Sequence, residues 1–182
     1  MAPITCVAFL RGINVGRARQ VAMSDLREIA QSLGYDAVRT LLRSGNLVLS
    51  AATDDPGAVA AKLEKAIEAR LGMDVGVVVR SAVELAAVVA ADPLPVASQD
   101  GSRRHVVFLS EPLAADVRDW LTSDDFTPDT VMPATREVYV WYERGTSGSD
   151  TATRINRRLP RTATDRNWNT VTRLLEMARQ ST

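Results

Sequence analysis

The chain has 182 residues, of which 46% are hydrophobic and 24% charged, with 22 basic and 22 acidic side chains. This composition is typical of a globular protein with a sizeable core, and the balanced charge excludes the strong positive field of a dedicated nucleic-acid or membrane-surface binder. A single cysteine excludes an internal disulfide, and one cysteine with one histidine leaves too few ligands for structural zinc, so we predict no metal and no cofactor.

The first half of the chain predicts alternating strands and helices. The predicted strands cover residues 4–10, 37–43, 47–51 and 75–80. Ser24 is expected to cap the first helix, and Pro56 to open the second, which Gly72 ends. Ser44-Gly45-Asn46 is predicted to form a tight hairpin turn. The order β-α-β-β-α-β is that of the ferredoxin-like fold, and a further helix is predicted over residues 82–91.

The second half repeats this plan with weaker signals. Strands are predicted over residues 104–110, 130–134 and 137–143, and helices over residues 151–159 and 167–179 and around Leu113, Val117, Trp120 and Leu121. We therefore predict an α+β protein of two ferredoxin-like subdomains with antiparallel sheets, the second one degraded, plus added helices that include a C-terminal one. The predicted boundaries are 1–95 for the first subdomain, 96–102 for a linker and 103–182 for the second.

A loop rich in glycine and arginine follows the first strand. It reads Arg11-Gly12-Ile13-Asn14-Val15-Gly16, and the segment from Cys6 to Ser24 contains three arginines and no acid. Backbone N–H groups in such a loop can surround an anion, whereas the structural alternative is a tight strand exit whose glycines only relieve backbone strain. The spacing matches neither a Walker A loop nor a dinucleotide-binding fingerprint.

The ferredoxin-like topology places this loop beside the predicted hairpin. Strand three starts next to the end of strand one, so we expect Arg11 to lie close to Asn46. The sequence assigns no catalytic residue, because Ser44 has no histidine in its motif to activate it and no general base is identifiable. Whether the protein is an enzyme stays open. The candidate ligand contacts in this half are Arg11, Gly12, Asn14, Gly16, Ser44, Gly45 and Asn46.

An arginine-rich segment lies near the C-terminus. Residues 154–173 contain six arginines against one acid, Asp165. The functional interpretation is a phosphate or nucleic-acid contact aided by the start of the last helix, and the alternative is a solvated surface. Phe108, Tyr139 and Trp141 on the predicted strands invite comparison with the aromatic platform of an RNA-recognition motif, but its aromatic-rich third-strand signature is missing, and the first half contributes only Phe9. The candidate contacts here are Arg166, Asn167 and Asn169.

The two remaining singular residues have simpler interpretations. Cys6 is expected to be a buried small apolar residue, and His105 to lie at a strand edge. The start of the chain lacks a charged leader before an apolar segment, and no apolar run approaches the roughly 20 residues that span a bilayer. We therefore expect a cytoplasmic protein with no membrane partner.

Several motifs together resemble one bacterial family. They are Phe9-Leu10-Arg11-Gly12-Ile13-Asn14-Val15-Gly16, Met23-Ser24-Asp25-Leu26, Arg39-Thr40 with Ser44-Gly45-Asn46, and Thr164-Asp165-Arg166-Asn167-Trp168-Asn169-Thr170-Val171. The sequence resembles the domain-of-unknown-function family 1697 (DUF1697) over nearly its whole length. The resemblance implies a cytoplasmic protein of two small α/β subdomains without an established activity.

The chain departs from that resemblance in one segment. The family has a glycine-rich stretch containing Ser-Lys, where this chain has Gly145-Thr146-Ser147-Gly148-Ser149-Asp150 and no lysine. If the lysine binds a phosphate in relatives, either Arg154 replaces it here or the site is weakened.

Three functions stay open. The leading hypothesis is the binding of a small phosphate-bearing or other anionic ligand at the Gly/Arg/Asn-rich sheet edge. The alternatives are single-stranded nucleic-acid binding through the arginine-rich segment and a structural or oligomerisation module without a ligand. The sequence does not determine the oligomeric state.

Overall fold

The structure is a computed structural model that describes residues 3–14, 19–53, 55–95 and 100–181. Strands and helices alternate throughout. In chain order they are β1 (Ile4–Leu10), α1 (Met23–Ser32), β2 (Asp36–Leu41), β3 (Asn46–Ala51), α2 (Pro56–Leu71), β4 (Val77–Ser81), α3 (Ala82–Ala90), β5 (Arg104–Phe108), α4 (Ala115–Ser123), β6 (Thr130–Pro133), β7 (Glu137–Trp141), α5 (Asp150–Arg158), β8 (Thr164–Asn167) and α6 (Trp168–Arg179).

The strands form two four-stranded antiparallel sheets, in the orders β2-β3-β1-β4 and β6-β7-β5-β8. In the first sheet β1 lies between β3 and β4 and runs antiparallel to both. In the second, β5 has the same relation to β7 and β8. This is the ferredoxin-like arrangement in each half, with helices added, and the predicted fold class is confirmed.

Residues contact one another most densely within two units. Unit 1 comprises Met1–Ala87 and Arg173–Thr182, and unit 2 comprises Val88–Thr172. The end of α6 joins unit 1, where Arg39 of β2 donates hydrogen bonds to the Met177 carbonyl and the Ser181 hydroxyl. The subdomain boundaries 1–95, 96–102 and 103–182 stay a prediction, and residues 96–99 of the expected linker lie outside the described residues.

In unit 1, one face of the sheet packs against α1 and α2. Side chains alternate along a strand, so Cys6, Ala8 and Leu10 share the face that contacts these helices. Cys6 is fully buried, as predicted. Helix α2 begins at Pro56, as predicted, because Asp55 caps it by accepting a hydrogen bond from the Gly57 N–H. The apolar residues of the two helices in this core are Leu26, Ile29 and Ala30 of α1 and Val59, Leu63 and Ile67 of α2.

In unit 2, a second core lies between the sheet and helices α4 and α5. Val107 of β5 and Val138 and Val140 of β7 are buried there. Leu121 of α4 and Ile155 of α5 cover them. The loop that leads into α5 therefore starts from a packed sheet, which fixes its position.

Two predictions about helix and turn boundaries are wrong. Helix α1 begins at Met23 with Ala22 as its N-cap, and the Ser24 hydroxyl donates to the Asp25 carboxylate 3.4 Å away instead of capping the helix. The hairpin turn covers residues 42–45, because Leu41 pairs with Asn46. Asn46 is thus the first residue of β3, and its side chain lies inside the fold.

Two predictions about the second sheet also need correction. His105 lies on β5, between β7 and β8, and not at an edge. The sheet is not degraded, because β8 supplies a fourth strand that the sequence did not predict. Its residues, Thr-Asp-Arg-Asn, carry no apolar alternation, and they pair with β5 through the backbone.

Candidate functional site

The loop that follows β1 lies beside the turn between β2 and β3. The Leu10 N–H donates to the Gly45 carbonyl at 2.8 Å, and Phe9 pairs with Asn46. Arg11 comes directly after this contact, and its own N–H donates to the Gly76 carbonyl at 2.9 Å. The structure therefore brings the loop and the turn together, as the topology predicts.

Asn14 ties the two segments to each other. Its side-chain amide donates to the carbonyls of Val21 at 2.9 Å and Arg43 at 2.7 Å, and its side-chain oxygen accepts from the Val21 N–H at 2.8 Å. The residue has a φ of 55°, in the left-handed region that asparagine tolerates better than most residues. Asn14 therefore shapes the loop, and its amide is engaged within the protein.

Gly45 and Asn46 are also engaged in the structure of the turn. A Cβ atom on Gly45 would lie 2.7 Å from Ile13 Cδ1 and 2.8 Å from Leu10 Cβ, and the residue has a φ of 77°. The Asn46 amide is fully buried and donates to the Leu41 carbonyl at 2.9 Å and to the Ser44 hydroxyl at 3.0 Å. These residues let the loop and the turn approach closely.

Two main-chain donors at the start of the loop are not engaged by the described residues. The main-chain N–H groups of Gly12 and Ile13 donate no hydrogen bond to any residue that the structure describes. Gly12 has a φ of 64°, is exposed and directly follows Arg11. Gly16 lies outside the described residues.

The candidate contacts of unit 2 have structural partners of their own. Arg166 is buried and donates to the Thr164 hydroxyl and to the Asp165 carbonyl, both at 2.7 Å. The Asn167 side chain caps α6 by accepting from the Thr170 N–H at 3.0 Å. Asn169 is in close contact with Gly101, where a Cβ atom would lie 2.1 Å from Asn169 Oδ1.

Comparison with known proteins places the chain in a family. The family described as "Protein of unknown function (DUF1697)" matches residues 4–139. The chain belongs to the DUF1697 family. The fold of this DUF1697 protein is similar to that of the conserved bacterial protein SP0830 from Streptococcus pneumoniae, with 23% identity, a TM-score of 0.78 and coverage of 97% of this chain and 99% of that chain. No curated protein matches the sequence.

Several side chains of the arginine-rich segment of the DUF1697 protein are engaged by other residues. Arg154 bonds to the Asp124 carboxylate and the Asp125 carbonyl, and Arg173 pairs with Glu176. Arg158 stacks on the Trp120 ring. Of the aromatic side chains considered for base stacking, Phe9, Phe108 and Tyr139 are at most 2% exposed, whereas Trp141 is partly exposed and donates to the Glu143 carboxylate at 2.8 Å.

His105 forms a partly buried pair with Asp165 that the sequence analysis missed. Its Nδ1 lies 2.8 Å from Asp165 Oδ1, and its Nε2 lies 3.0 Å from the Ser102 carbonyl. Burial opposes the charged imidazole, but the hydrogen bond and the negative charge of Asp165, with the Ser102 carbonyl, outweigh it and raise the pKa of His105. Asp165 was visible only as the single acid of an arginine-rich segment, and spacing alone does not pair it with His105.

Two further observations describe the rest of the molecule. Across the described residues, histidine, cysteine, aspartate and glutamate side chains form no group of three or more that could hold a metal ion. None of the helices in those parts of the chain combines the length and the hydrophobicity required to cross a bilayer.

Proposed function

We propose that this DUF1697 protein binds a small phosphate-bearing or other anionic ligand at the loop that follows β1. The observation that carries the proposal is the pair of consecutive main-chain N–H groups on Gly12 and Ile13, which have no acceptor among the described residues. Successive N–H groups next to a residue in the left-handed conformation, here Gly12, form a concave anion site. Arg11 adds a guanidinium, which strengthens such contacts through charge.

The residues of the proposed site divide into two roles. Arg11, Gly12 and Ile13 contact the anion. Asn14, Gly45 and Asn46 hold the loop in place, since their own polar groups or close contacts are engaged within unit 1. Ser44 accepts a hydrogen bond from Asn46 and belongs with the second role. Arg166, Asn167 and Asn169 belong to unit 2 and form no part of this proposal.

A thermal-unfolding experiment on the whole protein tests the proposal. The panel contains inorganic phosphate, mononucleotides, sugar phosphates and a single-stranded oligonucleotide, each at constant ionic strength. A ligand present at 100 times its dissociation constant adds about 2.7 kcal/mol to the free energy of unfolding. We expect stabilisation by at least one small phosphate compound, and we expect Arg11→Gln to reduce it.

The matched control is Arg179→Gln, because Arg179 is an exposed arginine in the last turn of α6. It should respond to the ligand as the wild-type protein does. Equal stabilisation of the wild type and Arg11→Gln, or no response to any small anion, would contradict the proposal. A response to the oligonucleotide alone, lost with added salt, would favour nucleic-acid binding.

A further inference from the structure

Unit 2 contains a cavity of about 260 Å³ in front of the N-terminus of α5. Its wall includes Phe126, Asp129, Arg144, Ser149 and Thr151. The volume lies just below the usual range of small-molecule sites, roughly 300–1,000 Å³, and suits a ligand of a few heavy atoms.

Thr151 is a buried residue whose hydroxyl opens onto the cavity. The residue is 5% exposed and lines the cavity, and its hydroxyl makes no hydrogen bond to a described residue. The hydroxyl is not itself enclosed, because the buried side-chain polar atoms without a partner among the described residues are Tyr35 Oη and Arg104 Nε. A ligand in the cavity can therefore take the hydrogen bond of the Thr151 hydroxyl in place of water.

The same wall presents unengaged main-chain donors. Ser149 caps α5 by accepting from the Ala152 N–H through its hydroxyl and from the Thr153 N–H through its carbonyl. The N–H groups of Asp150 and Thr151, at the first two helical positions, donate to no acceptor in the described part of the chain. These groups lie at the positive end of the helix dipole, which favours an anion.

The charges around the cavity leave one cation available. Arg144 is exposed and forms no ion pair with a described residue. Arg154 is held by Asp124. The Asp129 carboxylate is engaged by the Glu143 N–H at 2.8 Å and by the Ser149 hydroxyl at 3.3 Å, and the Asp150 side chain is 85% exposed. The carboxylates of Asp129 and Asp150 are therefore hydrogen-bonded within the protein or exposed to water.

We propose that this cavity is a second binding site, which takes the oxyanion group of a small molecule, a phosphate or a carboxylate. The N–H groups of Asp150 and Thr151 and the Thr151 hydroxyl donate to the oxyanion, and Arg144 balances its charge. Phe126 provides an apolar surface for the rest of the ligand. This site is independent of the loop that follows β1.

An NMR titration tests this site. Uniformly ¹⁵N-labelled protein is titrated in separate series with inorganic phosphate and with malonate, at an ionic strength held constant with sodium chloride. We expect the amide resonances of Asp150 and Thr151 to move along a saturable curve in at least one series. Movement in only one of the two series identifies which oxyanion the cavity prefers.

Two variants and a control sharpen the test. Thr151→Val keeps the shape of the side chain without the hydroxyl, and Arg144→Gln removes the charge; each should weaken binding about tenfold. Arg157→Gln, an exposed residue of α5 outside the cavity wall, should leave the affinity unchanged.

The result that would overturn this site is the absence of saturable movement at Asp150 and Thr151 in both series. Wild-type affinity in both Thr151→Val and Arg144→Gln would also overturn it. The same spectra report the amides of Gly12 and Ile13. Movement there without movement at Asp150 would exclude the cavity site and leave the first proposal standing.

Discussion

Arg80 and Arg166 occupy equivalent positions in the two sheets. Arg80 on β4 lies opposite Val7 of β1, and Arg166 on β8 lies opposite Val106 of β5. Both arginines are buried, with exposed fractions of 1% and 9%. Burial lowers the pKa of the Arg166 guanidinium to about 10, although the nearby Asp165 opposes the shift. The two halves thus share more than strand order, since each has a buried arginine side chain on the last strand of its sheet.

Arg166→Ala should destabilise the protein by about 3 kcal/mol, because the Thr164 hydroxyl and the Asp165 carbonyl lose a buried donor and the packing of a long side chain is lost. Urea denaturation gives the free energy of unfolding. Arg157→Ala is the control, and it should stay within about 0.5 kcal/mol of wild type because Arg157 is exposed. Equal effects of the two substitutions would show that Arg166 is not a structural residue.

The pair of His105 and Asp165 should make stability depend on pH. The pKa of His105 is raised in the folded protein, so the pair's contribution is fully present below the unfolded value of about 6.5 and is lost as pH rises through the higher folded value. The measurement is the free energy of unfolding of the wild type and of Asp165→Asn from pH 5.5 to 8.5. Their difference should shrink as pH rises, and a constant or growing difference would contradict the pairing.

Gly45→Ala should be more damaging than Gly34→Ala. Both glycines have a positive φ, but a Cβ atom at Gly45 would meet Ile13 and Leu10, whereas nothing lies within 4 Å of one at Gly34. We expect a loss of about 1 kcal/mol at Gly34 from backbone strain alone and about 3 kcal/mol at Gly45 from strain and overlap. Thermal or urea unfolding of both variants measures this. Similar losses would mean that the contact between loop and turn is not tight.

Asn14→Ala should cost about 3 kcal/mol, since three side-chain hydrogen bonds to Val21 and Arg43 disappear and alanine tolerates the positive φ poorly. Asn14→Gly removes the same bonds but permits the backbone conformation, so it should cost less. Denaturation curves of the two variants separate these contributions. If Asn14→Ala were as stable as the wild type, the amide would not be what holds the loop in place, and Asn14 would again be a candidate for direct contact with the ligand.

Much of the fold could be predicted from the sequence. The bounds of β1 follow from a continuous apolar run between turn residues, and those of α2 follow from Pro56 and Gly72. Strand β8 could not be predicted, because its polar residues are placed by backbone pairing with β5 and not by hydrophobic alternation. Short strands of this kind depend on the sheet that receives them.

The candidate sites were predictable only in outline. Topology placed Arg11 beside the turn, but no sequence pattern indicates that the amides of Asn14 and Asn46 bond to nearby carbonyls. The sequence feature that pointed to the region of the cavity at α5 is the departure from the family pattern at residues 145–150. That the buried residue Thr151 lines a cavity depends on packing between distant segments, which local sequence does not encode.

The central claim is that the loop following β1 binds an anion through consecutive main-chain N–H groups. The most direct measurement is the movement of the Gly12 and Ile13 amide resonances of ¹⁵N-labelled protein during titration with inorganic phosphate and then with a mononucleotide, at constant ionic strength. The account predicts saturable movement of both resonances and weaker binding in Arg11→Gln than in Arg179→Gln. Resonances that stay in place in both titrations, in a protein whose remaining spectrum is that of the folded state, would contradict it.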